Sequence, residues 1–70
     1  MLTIYTQPDC HPCRLTIKTA NKLGLNYQEK PAQEHTDYLA TLGHTSAPVI
    51  VDEAGNSFSG FRPDKLRQAA

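Results

Sequence analysis

Apolar and polar positions alternate over Leu2-Thr3-Ile4-Tyr5-Thr6, with β-branched and aromatic members, and this predicts a strand. Gln7-Pro8-Asp9 breaks it. From residue 13 the period changes: Cys13, Thr16, Ile17, Ala20, Leu23 and Gly24 fall on one stripe at helical spacing, opened by Pro12 in the first turn and closed by Gly24. Alternation returns over Leu25–Glu29 and predicts a second strand. Pro31 is expected to open a second helix with His35, Tyr38, Leu39 and Leu42 along its inner face, ending at Gly43. Ala47-Pro48-Val49-Ile50-Val51 is an apolar, β-branched run suited to a buried central strand. Glu53-Ala54-Gly55-Asn56 is turn chemistry in which Gly and Asn are expected at positive φ, and Ser57-Phe58-Ser59 returns as an edge strand. Pro63-Asp64 then starts a last helix, proline at its first position and an acid facing the dipole.

The predicted order is βαβαββα, an α/β fold with a four-stranded mixed sheet flanked by three helices. Seventy residues allow one domain, 1–70, with one modest core, because a chain this short buries only about 60% of its unfolded surface. Seven basic residues balance seven acidic ones, which argues against nucleic-acid binding. No apolar run approaches the ~20 residues of a membrane span, and Met1 leads straight into the first strand without the basic and apolar regions of a signal peptide. A soluble, cytoplasmic monomer with no membrane partner is the expectation.

Two cysteines, Cys10 and Cys13, are too few for a disulfide scaffold, and the loop between them is too short to constrain much chain entropy. Their use is therefore chemical. Cys10-His11-Pro12-Cys13 lies where a strand hands over to a helix, the placement expected of a thioredoxin-like redox motif. A helix start offers unpaired N–H groups and the positive end of its dipole. A Cys10 thiolate there takes a bond from the Cys13 N–H, since Pro12 has none to give, and its pKa is expected below the free value of roughly 8.5. Cys10 then attacks a target disulfide, and the more buried Cys13 resolves the mixed disulfide. A bare CxxC serves metal chemistry as well. A structural zinc site needs four ligands, and His35 and His44 are too far apart for the usual His arm, which leaves only ligands shared across a dimer.

Ala47-Pro48 is the second clue. A proline at the head of a buried strand loses a ladder donor, and a cis bond facing the CxxC would account for it. The Ala47 backbone would then be free to pair with an extended substrate segment.

Together, Tyr5-Thr6, Cys10-x-x-Cys13 and Ala47–Val51 resemble a glutaredoxin-sized thioredoxin fold, and Ser59-Gly60-Phe61-Arg62-Pro63-Asp64 resembles the W-S-G-F-R-P-D signature of the NrdH-redoxins. The resemblance spans the whole chain. It implies a dithiol oxidoreductase that binds no cofactor or metal of its own. Its electrons would come from NADPH through a flavin-containing thioredoxin reductase, and its target would be class Ib ribonucleotide reductase. It also implies partner contacts from His11, Pro12, Ala47, Pro48, Ser59, Gly60, Phe61, Arg62 and Asp64. Glutathione-using glutaredoxins carry Gly-Gly and paired acids at the last helix start. Here Phe61 and Arg62 are expected to obstruct that site, with Arg62 occupying Asp64. The chain departs from the family pattern at Phe58, which replaces Trp, at Gln7, which replaces a basic residue, and at His11-Pro12 inside the motif. A charged His11 could pair with the thiolate. The rival readings are a glutathione-dependent glutaredoxin and a metal or iron–sulfur module.

Overall fold

The computed structural model describes residues 1–69. Strand β1 (Leu2–Thr6) carries Leu2 and Ile4 on one face and Tyr5 on the other, as its alternation requires. Helix α1 (His11–Lys22) begins at the Cys10 N-cap and holds Pro12 in its first turn; Leu23 caps its end and Gly24, at φ +70°, turns the chain back. Strand β2 (Tyr27–Pro31) follows, then a single 3₁₀ turn (Ala32–Glu34), helix α2 (Thr36–Thr41), strands β3 (Val49–Val51) and β4 (Ser57–Ser59), and helix α3 (Pro63–Gln68).

The sheet order is β2-β1-β3-β4. β1 runs parallel to β2, from Leu2↔Tyr27 to Thr6↔Pro31, and antiparallel to β3, with Ile4 opposite Ile50; β3 and β4 are antiparallel through Ile50↔Phe58. The directions matter more than the count. β1 and β2 end, β3 begins and β4 ends at one edge of the sheet, so the Cys10 loop, the Ala47-Pro48 loop and the Gly60 turn all emerge together.

Leu2, Ile4 and Ile50 meet Ala20 and Ile17 of α1 on one face, with Leu25, Tyr27 and Phe58 around them, and α3 packs against α1. Tyr5, Val49 and Ala32 meet Leu39 of α2 on the other. Burial of such side chains contributes about 25 cal/mol per Å² of apolar surface, and Ile4, Ile50 and Leu66 are withdrawn completely.

Five expectations need correction. The second strand lies two residues later than its alternation suggested, because pairing with β1 runs through Thr6↔Pro31. Pro31 therefore ends a strand instead of opening a helix. On an outer strand its missing N–H is tolerated, and its extended backbone (φ −73°, ψ 121°) passes straight into the 3₁₀ turn. Helix α2 consequently starts only at Thr36, and Tyr38 falls off its inner face: it is 44% exposed, while neighbouring Leu39 is buried. The buried strand is also shorter than the apolar run, beginning at Val49 after a cis Ala47-Pro48 bond. In the hairpin only Gly55 adopts positive φ (+89°); Asn56 instead donates its N–H to Asp52 Oδ1 at 2.8 Å, and the Asp52 side chain organises the turn.

Candidate redox site

Cys10 and Cys13 are joined as a disulfide, their Cα atoms 5.2 Å apart across the first turn of α1. The bond follows from helix geometry, since an N-cap residue and the residue three further on lie on one side of the helix start. Both cysteines are buried, Cys10 6% and Cys13 3% exposed. Cys13 donates its N–H to Cys10 Sγ at 3.2 Å, the contact expected from the sequence. The sulfur thus stands where a helix N-terminus stabilises negative charge. Asp9, directly before it, sits at φ 56°, a conformation that aspartate tolerates better than most residues, and this turns the chain sharply from β1 into the helix. Below the disulfide, Thr16 is fully buried and its hydroxyl donates to the Pro12 carbonyl at 2.8 Å, so no polar group is stranded there.

The second segment is the cis Ala47-Pro48 loop. Ala47 O lies 4.0 Å from Cys10 Sγ, and the Ala47 N–H makes no hydrogen bond among the described residues. The third is the turn between β4 and α3. Gly60, at φ +84°, donates its N–H to Pro48 O at 2.9 Å, which fastens the Ser59–Asp64 segment to the loop beside the sulfur. Ser59, Gly60 and Phe61 are half-buried, whereas His11, Pro12, Arg62 and Asp64 are exposed. Arg62 Nη2 donates to Asp64 Oδ2 at 3.3 Å, so the guanidinium does occupy the carboxylate. That hydrogen bond holds the Asp64 carboxyl below the usual carboxylate range.

One groove touches both cysteines and a second lies against the Ala47 loop. The first, of about 490 Å³, runs between α1 and the ends of β1 and β2, with Thr6, Asp9, Arg14, Lys18 and Glu29 among its walls. The other, of about 300 Å³, lies on the α2 side and reaches Ala47, Val49, Leu39 and His44. His35 and His44 are both half-buried. His35 packs edge-on to Tyr5 with centroids 5.3 Å apart, and His44 Nε2 lies 2.9 Å from Ser57 Oγ. Tyr5 belongs to the core beneath α2 and not to the rim of the site. The sequence reading missed Glu29, because only the parallel pairing of β1 with β2 brings it to the groove that both cysteines line. Among the described residues no group of three or more His, Cys, Asp or Glu is placed to hold a metal ion, and no helix is long and apolar enough to cross a membrane.

No family model matches the chain. Individual proteins do. It is 33% identical over 69 residues to the gene 56 protein of Mycobacterium phage D29, covering 93% of this chain and 77% of the phage protein. It is 29% identical over 73 residues to the glutaredoxin-like protein NrdH of Lactococcus lactis, across the full length of both. The solved NrdH-redoxin of Escherichia coli, a glutaredoxin-like protein with a thioredoxin-like activity profile, superposes with a TM-score of 0.90 at 29% identity, over 99% of this chain and 93% of its own. The chain is similar to the NrdH-redoxins over its whole length. With these relatives, a thioredoxin-like fold and a paired Cys10–Cys13, it is a thiol–disulfide oxidoreductase.

Proposed function

We propose that this redoxin is an electron donor that takes NADPH electrons from a flavin-containing thioredoxin reductase and passes them to a protein disulfide, that of class Ib ribonucleotide reductase, in the cytoplasm. Cys10 is the nucleophile. The observation that carries this assignment is its sulfur at the N-cap of α1, accepting the Cys13 N–H at 3.2 Å. The same contact that the disulfide sulfur makes would serve a thiolate better, since charge-assisted bonds are roughly twice as strong. Attack by Cys10 breaks the target disulfide, forms a Cys10–target bond and releases one target thiolate. Cys13 then attacks Cys10, restores the intramolecular disulfide and releases the second thiolate; two electrons have moved to the target. The free Ala47 N–H and its carbonyl, beside the attacking sulfur, offer an extended target segment the pairing of a short strand. His11, Pro12 and Phe61 complete the rim that a partner protein meets. The redoxin itself holds no cofactor.

The occupied Asp64 favours a flavoprotein reductase over glutathione, because the amine of the tripeptide has no free carboxylate to meet there. NADPH consumption by the oxidised protein tests this directly. Turnover is expected with thioredoxin reductase, and little with glutathione plus glutathione reductase; the opposite pattern makes the chain a glutathione-dependent glutaredoxin. Cys10→Ser abolishes turnover on this reading, and Cys13→Ser accumulates a mixed disulfide visible by mass spectrometry.

A further inference from the structure

Cys13 is 3% exposed, yet it must lose a proton before it can attack Cys10. The thiolate is the nucleophile, and burial in apolar surroundings opposes its formation. A cleft of about 490 Å³ touches both cysteines. Two carboxylates border it, Asp9 and Glu29. Glu29 is placed there by sheet geometry. It pairs with Ile4 in the parallel β1–β2 ladder, and Ile4 belongs to the face covered by α1, so Glu29 shares the face of the helix that bears Cys13. Its carboxylate is held: Thr6 Oγ1, at the end of β1, donates to Glu29 Oε2 at 2.8 Å. Among the described residues no cation is ion-paired to it, although Arg14 and Lys18 of α1 line the same cleft. Lys30 lies on the opposite face of β2, paired with Tyr5. Asp9 is exposed on the loop, and its side chain has no hydrogen-bond partner among the described residues.

We infer that Glu29 accepts the Cys13 proton in the resolving step, acting across the cleft that both residues line. The inference rests on the assignment of Cys13 as the resolving thiol. In the mixed disulfide the Cys13 thiol gives its proton to the Glu29 carboxylate through water admitted to the cleft. The Cys13 thiolate attacks Cys10 Sγ, the Cys10–Cys13 bond forms, and the Cys10–target bond breaks with its electron pair on the departing target sulfur. Glu29 then returns the proton to that thiolate or to solvent.

The test uses a chromogenic aryl disulfide in rapid mixing, where attack by Cys10 releases one coloured thiolate and resolution by Cys13 releases a second. Glu29→Gln keeps an oxygen for Thr6 but cannot take a proton. Its second phase is expected to slow about tenfold at and below neutral pH, a modest share of what positioned bases contribute. The gap should close only as pH rises beyond the free-thiol value of roughly 8.5, where even the buried thiol ionises unaided. The first phase stays unchanged, Asp9→Asn keeps the parental profile, and Glu29→Asp restores part of the low-pH rate. Superimposable second-phase pH profiles for parent and Glu29→Gln would sink the inference, as would a uniform slowing at every pH, which a merely structural strut would give. Loss reproduced by Asp9→Asn would overturn it too. Absence of the first phase in a Cys13→Ser protein would overturn the underlying assignment of Cys10, and this inference with it.

Discussion

Arg62 and Asp64 are both exposed, and ion pairs of that kind add little to stability. Their weight in this molecule is chemical. The guanidinium hydrogen bond depresses the Asp64 pKa, so whatever the pair contributes is fully present above the ordinary carboxylate range and is lost only as pH falls through the lowered value. Arg62→Ala should move Asp64 back up toward the ordinary range in an NMR titration. It should also raise glutathione-coupled turnover, by no more than about fivefold given how weak exposed pairs are. An unchanged Asp64 titration would show that the arginine does not control it. Gly60 acts through its backbone. A Cβ there would meet nothing within 4 Å, so the requirement is conformational: φ +84° lets its N–H reach Pro48 O. Gly60→Ala is expected to cost about 1–2 kcal/mol in denaturant unfolding, the penalty of a left-handed backbone on an L side chain.

Single elements here are short, and one side chain can anchor each. Helix α3 has six residues, and Leu66 is its one buried member. Leu66→Ala should destabilise the fold by about 2–5 kcal/mol, read as a lower urea midpoint with an unchanged slope. Much of this architecture was legible before the structure was known. The stripe from Cys13 to Gly24 has both a proline start and a glycine stop, so local chemistry and periodicity agree over a whole helix. The proline at Ala47-Pro48 stands out because a buried strand cannot spare a donor, and the bond is indeed cis. The stretch from Leu25 to Leu42 was less legible for a stated reason. Its strand is an outer one with mostly exposed side chains, so alternation constrains its ends weakly, and Pro31 suits a strand end and a helix start equally well. The disulfide motif is local and could be seen in four adjacent letters; Glu29 is nineteen positions from Cys10 and enters the site only through strand order.

At the scale of the molecule, the two sheet faces carry different burdens. One is covered by α1 and α3, the other by α2 and the 3₁₀ turn before it, and beneath α2 lies Tyr5, whose phenol is pushed above its ordinary 10 by burial first and by the neighbouring Tyr38 second. A raised phenol keeps its proton more tightly folded than unfolded. Its contribution is therefore complete below about pH 10 and disappears as pH rises through the folded value. Alkaline unfolding followed by circular dichroism should be less steep in Tyr5→Phe than in the parent, and identical curves would remove Tyr5 from the account. The same strand directions that gather three loops around Cys10 send Met1, the Asp52–Asn56 hairpin and Ala69 to the opposite edge, where Met1 meets Glu53. A linker or an electrode attachment made at residue 1 or at the hairpin tip would therefore hold the protein by its back, leaving the disulfide pointed outward and every partner free to approach it.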